Sequence, residues 1–352
     1  MRPASRWLAL VATAVVLVTG CGGADNQPST SAGSGPTSAA PTSTAAPPWL
    51  IAGATGWLAY QSISSRGPDG LYLVRVDGSD DHEILTDVPG KRLHPDFSPD
   101  GSKLAFDQQT SDADVEQIYV ADADGSRPHQ VSRCQPPKCA GRWDPAWSPD
   151  GRQLGAVSST GLHPGLPPDR LGITIIDPAT GTERSVVDHD APPGQEHFPR
   201  WSPDGRRLLF WRERFGSGGT KMAVFVVNVD GSGLRQVTKW NLLAGDADWS
   251  PDGRVIVFAT YPLGNFQVAG HSELYTIRPD GKGLRRLTNN GPDGPRAAHP
   301  RWTPDGKAIL YIRTTQKGTP RHIYVLSADG KQDTPVLTAN RVYTHPTLQS
   351  TS

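Results

Sequence analysis

Three histidines, four aspartates and two arginines recur at fixed places in a short repeated motif, and their side chains are the ones best suited to chemistry. The motif reads HPDFSPDG from His94, DPAWSPDG from Asp144, FPRWSPDG from Phe198, DADWSPDG from Asp246 and HPRWTPDG from His299, with a partial copy, HPTLQS, from His345. Its first position holds His94, Asp144, Phe198, Asp246, His299 and His345; its third holds Asp96, Ala146, Arg200, Asp248, Arg301 and Thr347. Imidazoles and carboxylates ligate metals or move protons, and guanidinium forks grip carboxylates and phosphates. Brought together, His94, Asp96, Asp144, Arg200, Asp246, Asp248, His299, Arg301 and His345 would make a ligand-binding set; residue types alone leave a metal undecided. Recurrence also has a plain structural meaning. Proline holds the residue before it in extended geometry, so His-Pro can serve simply to start a strand. Arg200 and Arg301 vary between copies and are the better candidates for an anionic ligand.

The elements that position these residues follow from the spacing. The copies lie 46 to 54 residues apart, and each reads as four short strands. The front of the motif forms the first strand, ending in Phe97, Trp147, Trp201, Trp249 or Trp302. Ser-Pro-Asp-Gly then suits a tight turn, with proline presetting φ and glycine closing it. Apolar runs such as KLAF, RLLF and VIVF give the second strand, and QIYVAD, VFVVNVD and HIYVLSAD the third. A glycine-centred turn at Gly125, Gly231, Gly281 or Gly330 leads to the fourth.

Four-stranded units of this length repeated around a ring describe an all-β fold, the β-propeller. Before His94 the chain offers a second, third and fourth strand with no first; after His345 it offers a first strand alone. Joined, they complete one blade and remove the exposed edges. The expectation is a six-bladed β-propeller closed by a C-terminal strand that completes the first blade. The tight turns then share one face, while long, varied connections share the other with the channel mouth, where function concentrates.

The P-x-W-S-P-D-G…I-Y-V…D-G…L-T pattern, over about residues 57–349, resembles the WD40-like repeat of the TolB family. The resemblance implies a propeller that binds other envelope proteins. Bacterial TolB proteins place an α/β domain before the propeller, whereas here only a low-complexity segment precedes it. The same propeller also caps prolyl-oligopeptidase-type peptidases and occurs in some pectate-fragment lyases.

Enzyme signatures are otherwise missing from the sequence. There is no Gly-x-Ser-x-Gly elbow, HExxH helix, Walker loop or dinucleotide fingerprint, so neither an enzyme nor a cofactor is expected. The alternative is a metal-dependent lyase or hydrolase with its site at the channel mouth, assembled from separate blades. With 35 basic and 35 acidic residues the chain gives no electrostatic case for nucleic acid. The expected partner is an envelope protein, peptide or glycan, bound by a monomer.

The start of the chain supplies an address. Arg2 and Arg6 precede an apolar stretch, Trp7 to Val18, too short to span a bilayer as a mature helix. It ends in VTGC, which resembles a bacterial lipobox, so residues 1–20 are expected to be a lipoprotein signal peptide and Cys21 the lipidated residue. Residues 21–48, rich in Gly, Ser, Thr, Pro and Ala, form a tether to a propeller at 49–352. The remaining cysteines, Cys134 and Cys139 in CQPPKC, form an even pair. In an oxidising compartment they are expected to bond, for roughly 2 kcal/mol on the loop-entropy view. The expected location is the extracytoplasmic face of the cell membrane. Intact-mass analysis of the protein from a detergent-solubilised membrane fraction should show a mature chain that begins at an acylated Cys21; cleavage elsewhere, with the protein free in the medium, would refute the anchor.

Overall fold

Runs such as RLLFWRER and KMAVFVVN are buried along nearly their whole length. β-Branched and aromatic residues favour extended chain, and a strand covered on both faces reads as continuously apolar. The computed structural model describes residues 56–350 except 64–68, 110–114, 136–138, 161–170, 189–193, 216–218, 262–271, 292–293, 315–320 and 339–340. These all lie in one compact unit, Pro41–Ser352. The expected leader, Cys21 and tether fall outside the described residues, as do the centres of several long connections.

Among the described residues the structure is all-β, with one turn of 3-10 helix at Trp240–Leu242. Strands β1 (Trp57–Ser62), β2 (Gly70–Arg75) and β3 (His82–Ile84) precede β4 (Lys91–Phe97), β5 (Lys103–Gln109), β6 (Glu116–Asp122) and β7 (His129–Gln130). Then come β8 (Cys139–Trp147), β9 (Leu154–Thr160), β10 (Leu171–Asp177), β11 (Thr182–Val187), β12 (Gln195–Trp201), β13 (Arg207–Arg214), β14 (Lys221–Asn228) and β15 (Arg235–Gln236). The series ends with β16 (Ala244–Trp249), β17 (Ile256–Thr260), β18 (Leu274–Ile277), β19 (Arg285–Arg286), β20 (Arg296–Trp302), β21 (Ala308–Thr314), β22 (Arg321–Ser327), β23 (Asp333–Leu337) and β24 (Tyr343–Leu348).

Where the repeat count leads one to expect separate four-stranded units throughout, the hydrogen bonding gives four such sheets and one of eight strands. The large sheet holds β4–β7 and β8–β11, joined by a single parallel pair, Glu116 with Gly141. Beside that junction, Cys134 and Cys139 form the expected disulfide, their Cα atoms 5.4 Å apart. The first strands β24, β4, β8, β12, β16 and β20 touch one another in that cyclic order. They line a central channel.

Each tight turn is built as its sequence implies. In the first, the Gly101 amide donates to the Ser98 carbonyl (2.8 Å), while Asp100 accepts from the Ser98 hydroxyl (2.5 Å) and the Ser102 amide (3.0 Å). Ser148–Gly151, Ser202–Gly205, Ser250–Gly253 and Thr303–Gly306 repeat the arrangement.

The last strand does join the first blade. β24 pairs antiparallel with β1. Gln349 fastens this seam: its amide donates to the Trp57 carbonyl (2.8 Å) and its side chain to the Gly101 carbonyl (2.7 Å). Gly101, at φ +69°, sits so close that an added Cβ would lie 2.5 Å from the Ser350 carbonyl oxygen. Leu58, Tyr60 and Tyr343 of the closing sheet pack against Leu310, Ile312 and Val325 of its neighbour. Deleting residues 343–352 should therefore cost several kcal/mol, the scale of losing multiple buried side chains. Thermal unfolding should show a midpoint about 10 °C lower, and a truncated chain that melts like the full one would refute this closure.

Candidate functional site

The channel-lining strands are not regular. Leu93 stands opposite Asp107 and Asp96 opposite Ala105, so His94 and Pro95 together face the single residue Phe106. This β-bulge recurs between Trp143 and Ala146, His197 and Arg200, Gly245 and Asp248, and Ala298 and Arg301. In the closing sheet the same irregularity lies between Ala59 and Gln61, opposite His345 and Pro346. All six first-position residues have positive φ, between 47° and 54°. The extended geometry expected before proline is therefore wrong here, because the extra residue of the bulge must turn the chain through the left-handed region. Histidine and aspartate are among the non-glycine residues that tolerate it best, which gives their recurrence a backbone reason. The strands also begin earlier than the motif suggests. β4 starts at Lys91, so His94 sits in mid-strand, inside the channel.

A bulge frees a backbone amide from its ladder, and the preceding blade takes it up. Asp107 accepts from the Asp144 amide (3.1 Å), and Asp246 from the His299 amide (3.3 Å). Asp144 accepts in turn from the Phe198 amide. Two residues further on, Asp96 and Asp248 accept from the amides of Trp147 and Trp302, each at 2.9 Å. These carboxylates tie neighbouring blades together.

The side chains form two layers. In the first, His345 lies between His94 and His299, with ring centroids 4.4 and 4.1 Å apart. Phe198 crosses the channel and stacks on His345 at 5.3 Å. The space left is about 20 Å³, enough for roughly one water. In the second layer, nearer the tight turns, Arg301 makes an ion pair with Asp96. Arg200 donates to the Pro199 carbonyl (2.9 Å), and its charge acts on Asp96, Asp144 and Asp248. The structure thus brings all nine sequence candidates into the channel, but commits Arg301 to Asp96 and holds Arg200 in the field of three buried carboxylates.

Two residues of the site were not singled out by the motif. His94 Nδ1 lies 2.8 Å from Asp107 and 3.1 Å from Asp144, and Glu116 adds a third nearby acid. Asp107 is fully buried. Its signal was readable, since it stands where the other second strands carry the uncharged Gln61, Val157, Trp211, Ala259 and Ile312. Glu116, the first residue of β6, gave none.

Burial disfavours charge on His94, but Asp107 and Asp144 outweigh it and push the imidazole up to about 10. Burial also raises Asp144 to about 6, against the pull of His94, and Glu116 to about 8, reinforced by Asp107. Asp96 and Asp248 rise to about 6 through burial, opposed by Arg200 and by their amide donors. His345 falls well below the usual range because it is buried and faces His299 and His94.

Among the described residues, His94, Asp107 and Asp144 could hold a metal, with one donor atom from each within 4.8 Å of the others. One nitrogen and two oxygens suit a divalent ion, and Asp107 Oδ2 has no hydrogen-bond partner. The imidazole nitrogen facing these carboxylates holds a proton, which a metal would have to displace.

The class is that of a β-propeller whose repeats close around a filled channel. Residues 117–269 match the family described as TolB beta propeller domain. The Tol-Pal system protein TolB of Alcanivorax borkumensis is 35% identical over 136 residues, covering 38% of this chain and 26% of that protein. Among solved structures, TolB from Acinetobacter baumannii superposes with a TM-score of 0.62 at 16% identity, over 84% of this chain and 66% of that one. An oligogalacturonate lyase in complex with manganese gives 0.52 at 18% identity, over 80% and 74%. The chain is similar to the TolB-type propeller family over that matched segment. It spans about a quarter of the length of the Alcanivorax relative.

The buried acids set a pH dependence. Glu116 and Asp144 have folded values of about 8 and 6, above the ordinary 4.5 and 3.8, so the folded state binds more protons. Their stabilisation is full below pH about 4 and is lost as pH rises through those folded values. His94 acts in the same sense, full below 6.5 and lost as pH rises through about 10. The turn aspartates, held below 3.8 by their serine and amide donors, act oppositely but only in stronger acid. His345, held well below 6.5 by burial, opposes them in mild acid, where its contribution grows as pH rises to 6.5. The melting midpoint should therefore fall between pH 6.5 and 8.5, and Glu116→Gln should recover roughly 3 °C or more at pH 8.5 with little effect at pH 4.5. Parallel melting curves for the two proteins at both pH values would refute the assignment.

Proposed function

We propose that this chain is a six-bladed, lipid-anchored propeller on the extracytoplasmic face of the bacterial cell membrane, acting as a binding module of the envelope rather than as an enzyme. The observation that carries the reading is the filled channel. Phe198 and three imidazoles leave room for about one water, and the charged layer beneath is neutralised internally. So little free space disfavours a substrate inside the channel, whereas a protein, peptide or glycan can dock on its rim. The six-blade count is supported by the six bulged first strands in cyclic contact, with the eight-stranded sheet counted as two blades bridged at Glu116 and Gly141. The sequence similarity to a Tol-Pal system protein supports an envelope partner. The lipid anchor and the location rest on the sequence around Cys21.

A metal-dependent lyase is the second reading, favoured by the His94, Asp107 and Asp144 cluster and the fold shared with the manganese-bound lyase. The two separate in one experiment. The anchored protein should capture a partner from solubilised envelopes. Phe215→Ala and Lys221→Ala, exposed on the channel-mouth face beside the connection between β13 and β14, should weaken that capture at least tenfold while the melting midpoint holds. Asp150→Ala and Asp252→Ala in the opposite turns should lower the midpoint and leave capture by the folded fraction intact. Capture unchanged in the channel-face variants but lost in the turn variants would overturn the binding face. Stoichiometric manganese or zinc in the purified protein, lost with His94→Ala, would establish the metal reading instead.

A further inference from the structure

Strands β13 and β14 pair without a slip to the end of their hairpin, where Arg214 stands directly opposite Lys221. Directly paired residues point to one face of a sheet, and so do residues two apart along a strand. Arg212, Arg214 and Lys221 therefore share a face. It is the face on which Phe210, Ala223 and Phe225 pack with Leu171 and Ile173 of β10. On the other side of β13, Glu196 stands opposite Arg212 and accepts from its Nε (2.6 Å). The inner row thus pairs opposite charges, whereas the outer row sets two cations against each other, which costs free energy.

Three observations show that these cations are under-compensated. Among the described residues, Glu196 is the only carboxylate that forms an ion pair with any of the three. Burial lifts its carboxyl to about 7, against the charges of both Arg212 and Arg214. Arg212 is only 2% exposed, yet its Nη2 makes no hydrogen bond, and neither does the buried Nε of Arg214. Guanidinium N–H groups held out of water without an acceptor are unfavourable. The two heads are also held in place. Arg212 lies 4.9 Å from the centre of the Phe225 ring and Arg214 4.3 Å from that of Trp240, and these rings are 5.6 Å apart. An aromatic face attracts the guanidinium plane but leaves its N–H edges to be satisfied elsewhere.

We propose that Arg214 and Lys221, backed by the buried Arg212, form a binding site for an oxyanion, a carboxylate or phosphate group, at the outer end of the β13–β14 hairpin. Arg214 presents a planar fork that matches two oxygens, and the exposed Lys221 adds a point charge from across the hairpin. Arg212 strengthens the field from behind, where burial screens it little. The site shares Lys221 with the docking face but does not rest on the binding-module reading, because a small anion tests it with no partner present.

Calorimetric titration of the purified protein with inorganic phosphate, and separately with succinate, in low-salt buffer is the test. Saturable binding is expected in at least one arm, and the tighter arm identifies the oxyanion as phosphate or carboxylate. Arg214→Ala should weaken it at least tenfold and Lys221→Ala several-fold, while Arg254→Ala on an exposed turn leaves it unchanged. Should Arg214→Ala unfold, Arg214→Lys retains the charge without the fork and should still weaken binding; Lys221→Arg should keep what Lys221→Ala loses. No saturable heat in either arm, undiminished affinity in the Arg214 and Lys221 variants, or an equal loss in Arg254→Ala would overturn the proposal.

Discussion

The hydrogen bond from a bulge amide to a carboxylate of the preceding blade is the interaction on which this propeller depends. Each channel-lining strand carries one residue too many for its ladder, and the surplus turns the chain through positive φ. An amide freed this way inside a buried channel costs free energy unless something accepts it. Asp107, Asp144 and Asp246 accept from the next strand's bulge, and Asp96 and Asp248 repeat the tie one layer down. The same bonds that satisfy the backbone hold the ring together.

That solution concentrates acid where water is scarce. The channel answers by two means: protons remain on carboxylates whose affinity burial has raised, and cations are brought in. His94 sits between Asp107 and Asp144, and Arg301 reaches Asp96 from a strand on the far side of the closing blade. Neighbouring imidazoles cannot all be charged at such short range, so His345 stays neutral between His94 and His299. Phe198 fits against it because a neutral ring and a phenyl can share a dry space. A channel organised in this way is a structural core.

The repeat, its four-strand unit, the Ser-Pro-Asp-Gly turns and the pairing of Cys134 with Cys139 were legible in the sequence, because each depends on residues within a few positions of one another. The convergence of His94, His299 and His345 was legible too, since equivalent repeat positions must meet on the axis of a ring. Their conformation was not: His-Pro reads as extended chain in isolation, and only the demands of strand pairing turn it into a bulge. Nor could the sequence show that Arg301 is committed to Asp96, a contact between residues 205 positions apart. Asp107 betrayed itself as the one charge in its column of second-strand residues, whereas Glu116 carried no such mark. Local chemistry determined the parts; which charges face each other, and which are left over, was decided by blades that the chain separates and the ring brings together.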